Sequence, residues 1–177
     1  ATGYIGGRLT PRLLNAGYRV RVLARDAVRA ASFPWGADCE IVEGSADDAD
    51  AVAKAMEDVD VVYYLIHSMT AGKGFEESDD RAATTVADAA KSAGVHRIVY
   101  LGGLHPEDAK LSPHLRSRVQ VGETFLHSGV PTLVLQAGVV IGSGSASFEM
   151  IRHLTDVLPY MPAPKWVRNR IQPIAVR

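Results

Sequence analysis

The chain has 177 residues, a formal net charge of −1 and 47% hydrophobic residues, which is the composition of an ordinary globular domain. Its one cysteine, Cys39, excludes an intramolecular disulfide and a cysteine-based zinc site, so a reducing, cytoplasmic setting is expected. The near-zero charge argues against nucleic acid or an anionic membrane surface as the main partner, and the longest apolar run, residues 61–66, is too short to span a membrane.

Five runs rich in β-branched residues predict β-strands. They lie at residues 19–24, 40–43, 60–66, 97–101 and 132–136. These runs are continuously apolar and alternate with helical stretches of roughly ten or more residues, which indicates a parallel sheet covered on both faces. The predicted fold class is therefore α/β, with a doubly wound parallel sheet.

Helices are predicted where an apolar stripe lies between a polar cap and a terminating glycine. Five helices are predicted. The first carries Leu9, Leu13 and Leu14 and ends before Gly17, and the second runs from the cap Asp48 to about residue 58. The third covers residues 77–93 before Gly94, the fourth begins at Ser112 and Pro113 and ends at Gly129, and the fifth spans residues 147–158. On the fourth of these helices, Leu115, Val119 and Leu126 are expected to form the buried face. Residues 159–164, rich in proline, predict a connection out of the main sheet.

A glycine turn precedes the first helix. It contains Gly3, Tyr4, Ile5 and Gly6. Glycines at such a turn let backbone amides approach a pyrophosphate, and the helix N-terminus adds its partial positive charge. An ordinary tight turn is the alternative interpretation of the same residues.

Arg25 follows the strand at 19–24, about twenty residues after the turn, where dinucleotide-binding folds place the group that recognises the adenosine ribose. A guanidinium suits a 2′-phosphate, because it forms forked, charge-assisted hydrogen bonds, so NADP(H) is favoured over NAD(H). In the alternative, Arg25 is a solvated strand-end residue and Asp26 binds the ribose hydroxyl.

Three segments carry a family resemblance: Ala1-Thr2-Gly3-Tyr4-Ile5-Gly6, residues 89–101 and residues 135–142. Together they resemble the atypical and extended short-chain dehydrogenases/reductases, in the NmrA-like, nucleoside-diphosphate-sugar-epimerase-like branch. This resemblance implies an NAD(P)-binding Rossmann fold over residues 1–158 and the start of a C-terminal substrate lobe at 159–177. It also implies a first strand before Ala1, so we expect a fragment with a gap in the strand order 3-2-1-4-5-6.

The resemblance also implies a set of cofactor-binding residues. They are Thr2, Gly3, Tyr4, Ile5 and Gly6 in the turn, and Arg25, Ile66, His67 and Gly102 at the ends of later strands. His67 lies beside the topological switch point, where ligands bind in open α/β sheets. It either contacts the nicotinamide half of the cofactor or caps its turn together with Ser68.

The usual catalytic set of the family is a Ser after the fifth strand and a Tyr-x-x-x-Lys on the next helix, and this sequence departs from both. Residues 101–104 contain no hydroxyl group, and His114 and Arg118 stand at the helix spacing. Because residues i and i+4 share a helix face, both side chains can point at a bound nicotinamide. The guanidinium favours neutral His114, a proton acceptor, while Arg118 can hold ribose hydroxyls or an anion. The alternative is an ordinary histidine near a helix cap and an exposed arginine.

Other polar patterns favour structure over chemistry. The loop at 142–145 lacks the lysine of a P-loop, so it predicts a flexible bend. Asp47, Asp48 and Asp50 are predicted to be charges at a helix start. The remaining histidines have no metal-ligand spacing with one another or with Cys39, so no metal site is predicted.

Three functions follow from these observations. The first is an NADP(H)-dependent atypical oxidoreductase that acts on a small carbonyl, quinone or enone-like substrate. The missing Ser, Tyr and Lys favour the second, a non-catalytic NmrA-like NADP(H) sensor or assembly factor. A sugar-nucleotide epimerase or dehydratase ranks third, because its proton transfer normally requires the absent Tyr. The sequence identifies no substrate and leaves the oligomeric state open, a homo-oligomer included.

Overall fold

The computed structural model describes residues 1–67, 74–105, 111–158, 160 and 172–176. The chain forms two compact units, Ala1–Leu135 and Gln136–Arg177. The expected connection at 159–164, most of the expected C-terminal lobe at 159–177 and Ser68 lie outside the described residues. The domain boundary expected after residue 158 stays a prediction.

Helices and strands alternate along the first unit. They are α1 (Gly6–Asn15), β1 (Arg21–Ala24), α2 (Ala27–Ala31), a 3₁₀ turn (Gly36–Asp38), β2 (Glu40–Glu43), α3 (Ala49–Met56), β3 (Val61–Tyr64), α4 (Phe75–Ser92), β4 (Arg97–Gly103), α5 (Pro113–Leu126) and β5 (Thr132–Ala137), whose last two residues belong to the second unit. The five strands and four of the helices confirm the predicted elements, with ends that differ by a few residues. Helix α2 was not predicted, because its five residues are too few to show a helical period.

The second unit contains β6 (Val140–Ile141), α6 (Ala146–Val157) and β7 (Ile174–Ala175). Strands β6 and β7 pair in parallel. Helix α6 confirms the helix predicted at 147–158, and the backbone of Gly144 before it has a φ of 79°. The two short strands were not predicted. Among the described residues, each helix is too short or too polar to cross a membrane.

The strands of the first unit form two sheets, β1-β2 and β3-β4-β5. Strand β1 pairs with β2, from Arg21 opposite Glu40 to Ala24 opposite Glu43. Strand β3 pairs with β4 in parallel, and β5 lies on the other side of β4. In the family's own strand numbering, with the order 3-2-1-4-5-6, β1 and β2 of this chain correspond to strands 2 and 3, and β3, β4 and β5 correspond to strands 4, 5 and 6.

Caps and glycines set the helix ends as the sequence predicted. The carboxylate of Asp48 accepts hydrogen bonds from the backbone amides of Asp50 and Ala51 at 3.1 and 3.2 Å, which fixes the start of α3. Gly17 and Gly94 follow α1 and α4 with φ angles of 86° and 71°, in the left-handed region that glycine adopts without steric cost.

The core of the first unit is formed by buried side chains of α3, α4, α5, β3 and β4. Its centre is aromatic: the ring of Phe125 is 4.8 Å from the ring of Tyr64 and 5.8 Å from that of Tyr100. All three side chains are buried. Burial of large apolar rings supplies several kcal/mol of stabilisation at each site, so this cluster anchors α5 to the sheet.

The predicted buried face of α5 is wrong. Leu126 is 51% exposed, whereas Ser117, Val121 and Phe125, at successive intervals of four residues, point into the core. The prediction counted only apolar side chains, and it therefore missed a face on which a serine is buried through a hydrogen bond.

Phe125→Ala is expected to lower the free energy of unfolding by roughly 3–5 kcal/mol, because it removes a fully buried ring from the core. Leu126→Ala, the matched control at the next residue, should cost less than about 1 kcal/mol, since about half of that side chain is already exposed. Urea unfolding followed by circular dichroism measures both values. Equal losses in the two variants would contradict this orientation of α5.

Candidate functional site

The glycine turn leads directly into α1. The backbone amide of Gly7 donates to the carbonyl of Gly3 at 2.8 Å, and that of Leu9 donates to the carbonyl of Ile5 at 2.9 Å. No side chain caps the helix at Ile5, and its first turn contains no acidic residue. The partial positive charge of this helix end is therefore left for an external anion.

The two glycines of the turn have different environments. A Cβ atom at Gly6 would lie 2.5 Å from the Cα of Ala1, so the turn itself requires glycine there. A Cβ atom at Gly3 would have no described heavy atom within 4 Å, so Gly3 faces open space. A ligand can therefore approach the backbone at Gly3, while Gly6 keeps the turn closed.

Tyr4 adds an unpaired polar atom beside the turn. Its hydroxyl is buried and has no hydrogen-bond partner among the described residues, and the guanidinium of Arg8 lies 4.2 Å from the centre of its ring. A buried hydroxyl without a partner is costly, so it favours a ligand that supplies one. With the open space at Gly3, this feature fits a phosphate-bearing ligand at the start of α1.

Arg25 lies where the ends of β1 and β2 meet, since the amide of Gly44 donates to the carbonyl of Ala24 at 2.9 Å. Its side chain is exposed. The carboxylate of Asp26 caps α2 by accepting a hydrogen bond from the amide of Arg29 at 2.8 Å. This capping bond uses only the Oδ1 atom of Asp26, so the alternative in which Asp26 binds a ribose hydroxyl through its other oxygen stays open.

Asp47 and Arg81 belong to the same charged environment, and the sequence analysis missed that association. A hydrogen bond from Ser45 lowers the pKa of the Asp47 carboxyl, and the charges of Arg81 and Arg25 lower it further. The sequence interpretation of Asp47 as a helix-start charge did not include these partners, because Arg81 lies on a helix that is distant in the chain.

Arg118 is held against the end of β4. The hydroxyl of Tyr100 donates to the carbonyl of Arg118 at 3.1 Å. A Cβ atom at Gly103 would lie 3.4 Å from the Cδ of Arg118, so the arginine stem runs close to the strand backbone. His114 is exposed one turn earlier on α5, at the predicted spacing.

His67, after the end of β3, shares the environment of Arg118. Partial burial lowers the pKa of the imidazole, the charge of Arg118 lowers it further, and the carboxylate of Asp79 raises it. The net pKa is below the ordinary value, so His67 is mainly neutral near neutral pH. The structure thus associates His67 with Arg118.

Asp79 is a buried carboxylate that the sequence analysis missed. The hydroxyl of Ser117 donates to its Oδ2 atom at 3.0 Å, and the two residues are only 8% and 2% exposed. In the sequence, Asp79 is one of several charged residues at the start of an alanine-rich helix. No sequence signal distinguishes it from its exposed neighbours, because its burial depends on the packing of α4 against α5.

The other residues predicted to bind the cofactor either pack against the protein or are exposed to solvent. A Cβ atom at Gly102 would lie 3.2 Å from the ring of Tyr100, so packing favours glycine there. Ile66 is 47% exposed after β3, and Thr2 is partly buried in the turn. Burial raises the pKa of Tyr100 to about 12, so this phenol is a poor replacement for the catalytic Tyr of the family.

In the described part of the chain, no three His, Cys, Asp or Glu side chains cluster closely enough to hold a metal ion. The geometry instead offers a helix N-terminus with an open glycine, an exposed arginine at a strand end, and a histidine beside an arginine at another strand end.

A protein-family model described as NAD(P)H-binding matches residues 1–125. Among curated proteins, a (4-alkanoyl-5-oxo-2,5-dihydrofuran-3-yl)methyl phosphate reductase from Streptomyces griseus is 33% identical over 132 residues, which cover 74% of this chain and 43% of that protein. A ceramide reductase from Caulobacter vibrioides is 28% identical over 168 residues, 92% of this chain and 51% of that protein. Photosystem II assembly factor Ycf39 from Cyanophora paradoxa is 26% identical over 132 residues, which cover 73% of this chain and 40% of that protein. The chain spans about half the length of the curated relatives it matches.

Two solved structures share the fold. Citrobacter sp. triphenylmethane reductase complexed with NADP(H) has a TM-score of 0.66 and 20% identity, covering 77% of this chain and 47% of that chain. Bordetella bronchiseptica WbmG in complex with NAD and UDP has a TM-score of 0.72 and 19% identity, and the match covers 88% of this chain and 57% of that chain. These likenesses and the parallel pairing confirm the predicted α/β Rossmann fold. Because one neighbour holds NADP(H) and the other NAD, the fold does not decide between the two dinucleotides.

Gly3→Ala is expected to weaken the binding of a nicotinamide dinucleotide by at least about tenfold, because the added methyl group fills space that a pyrophosphate needs. The variant should not lose stability, since the methyl group meets no atom of the protein. Isothermal titration calorimetry with NADPH gives the affinity. The control is Gly7→Ala, whose Cβ would meet only an ordinary contact at 3.8 Å, and it should bind like the parent protein. Unchanged affinity in Gly3→Ala would exclude a pyrophosphate at this turn.

Proposed function

Because the chain belongs to the NAD(P)H-binding family, in its atypical, NmrA-like short-chain dehydrogenase/reductase branch, we propose that the protein is an NADP(H)-dependent oxidoreductase. The proposed substrate is a small carbonyl, quinone or enone-like molecule. The observation that carries the NADP(H) assignment is the exposed Arg25 at the end of β1, next to an Asp26 that is engaged as a helix cap.

In this proposal, the start of α1 binds the pyrophosphate. The amides of the turn and the uncapped helix N-terminus face the anion, and Gly3 leaves the space for its approach. The guanidinium of Arg25 binds the 2′-phosphate through paired, charge-assisted hydrogen bonds. The bound dinucleotide supplies the hydride chemistry, and the protein supplies orientation and charge.

At the other end of the site, the proposal assigns distinct roles to three side chains. The guanidinium of Arg118 supplies hydrogen-bond donors and positive charge, so its proposed role is to hold a ribose hydroxyl, an anionic substrate or a developing oxyanion and not to transfer a proton. His114, at the start of α5, is the proposed proton acceptor or donor. His67 is mainly neutral and contacts the nicotinamide half of the dinucleotide.

Two of the relatives support a reductase: their names describe reduction of a butenolide phosphate and of a ceramide. The likeness to an assembly factor favours a second candidate, a non-catalytic NADP(H)-binding regulator or assembly factor. The missing Ser, Tyr and Lys of the usual catalytic set support the same candidate. Both candidates bind a dinucleotide, but only the oxidoreductase turns over a substrate.

Arg25→Ala is expected to lower NADPH affinity by about 10- to 150-fold, which corresponds to the roughly 1.5–3 kcal/mol of a hydrogen bond to a charged group. NADH affinity should hardly change, because NADH has no 2′-phosphate. Calorimetric titration of both dinucleotides measures the difference. Arg29→Ala is the matched control, since this exposed arginine lies one turn away on α2. Equal losses for NADPH and NADH would overturn the assignment of Arg25.

Arg118→Gln and His114→Asn are each expected to lower the rate of NADPH oxidation by roughly 10²-fold or more, with NADPH affinity changed much less. The assay follows NADPH consumption with a panel of quinones, enones and small carbonyls. Arg116→Gln is the control, because this exposed arginine lies on the same helix but on a different face. NADPH binding without turnover on any member of the panel would favour the regulator.

A further inference from the structure

Asp79 is the buried carboxylate of the first unit that the proposed function leaves without a role. It lies on α4, and its partner Ser117 lies on α5, the helix that packs most extensively against α4. Burial of a carboxylate is costly unless donors replace the lost water. The hydroxyl of Ser117 is one such donor, and it joins the carboxylate of α4 to α5.

Ser117 and Arg118 are consecutive residues, and both are held by neighbouring elements. The side chain of Ser117 donates to Asp79 on α4 at 3.0 Å, and the carbonyl of Arg118 accepts from Tyr100 on β4 at 3.1 Å. One turn of α5 is therefore tied to a helix on one side and to the sheet on the other. This arrangement fixes the backbone from which the Arg118 side chain projects.

The same carboxylate acts on His67. Among the described residues, the charged groups that act on this histidine are Arg118 of α5, which lowers its pKa, and Asp79 of α4, which raises it. Tyr64 of β3 and Tyr100 of β4 lie in the same environment, and burial keeps both phenols protonated far above neutral pH. Asp79 is thus the negative charge that offsets Arg118 at His67.

We propose that Asp79 is a positioning residue of the site: it fixes the Arg118 turn of α5 through Ser117, and it balances the charge of Arg118 beside His67. The inference rests on the proposed function in one respect, because that function assigns Arg118 and His67 to the nicotinamide end. Asp79 acts through these two residues and need not touch the cofactor or the substrate.

The test is a site-resolved NMR titration of the His67 imidazole in the 177-residue protein, with the resonance assigned through a His67→Gln variant. In Asp79→Asn, which keeps the size and an acceptor for Ser117, the midpoint of the titration is expected to shift to lower pH. The reason is that a negative charge no longer opposes Arg118. In Ser117→Ala, which keeps the charge and removes the hydrogen bond that holds the Arg118 turn, the midpoint is expected to shift the other way, to higher pH, because Arg118 is no longer held in place to lower it.

An unchanged His67 midpoint in a folded Asp79→Asn protein would overturn the proposal, as would a midpoint in Ser117→Ala that does not rise. If Asp79→Asn does not fold, Ser117→Ala alone decides the matter. A midpoint that does not rise in that variant would refute the positioning of Arg118 through Ser117. The titration requires neither dinucleotide nor substrate. A protein that binds NADPH without turnover would therefore contradict the proposed enzyme and leave the titration result interpretable.

Discussion

The close packing of α5 against β4 is the constraint on which the proposed nicotinamide end of the site depends. The ring of Tyr100 lies against α5 at Gly122, where a Cβ atom would make an ordinary contact with it at 3.5 Å. Phe125 then fills the space between the helix and the sheet, and the Tyr100 hydroxyl reaches the Arg118 carbonyl. Interiors of this density transmit small volume changes, so a substitution in the aromatic cluster also displaces the arginine.

This packing also determines which proton chemistry is available. Tyr64 and Tyr100 are buried, and burial raises the pKa of both phenols, so they serve as structural hydrogen-bond groups and not as acids. Arg118 supplies a permanent positive charge, and His67 is biased toward its neutral form. In the proposed reduction the substrate takes a hydride from the dinucleotide and a proton, so this arrangement suits stabilisation of negative charge on the substrate oxygen and relay of a proton to it through an imidazole.

Local chemistry explains which features the sequence predicted well. Asp48 as a cap and Gly17 and Gly94 as terminators act within a few residues of their own position, and the continuous apolar strands predicted parallel pairing without knowledge of the partner strands. The expected cover on both faces is not seen in the described residues, since Tyr63 of β3 and Leu135 of β5 are 41% and 47% exposed. The buried face of α5 was mistaken because Ser117 enters the core only when Asp79 on another helix accepts its hydrogen bond. The effect of Arg81 on the pKa of Asp47 was not predicted for the same reason, since the two residues come together only in the tertiary structure. The spacing of His114 and Arg118 was accessible to sequence reasoning, but the groups that hold Arg118 in place were not.

The two ends of the proposed site differ in how firmly the fold holds them. Arg25 is an exposed side chain at a strand end, so residue changes there disturb little of the core. Arg118 instead projects from a helical turn that is tied to both α4 and β4. In the proposed site, selectivity between NADP(H) and NAD(H) can therefore change through one or two substitutions at the end of β1. A change in the chemistry at the proposed nicotinamide end would require α5 to be repacked together with its buried carboxylate and its aromatic support.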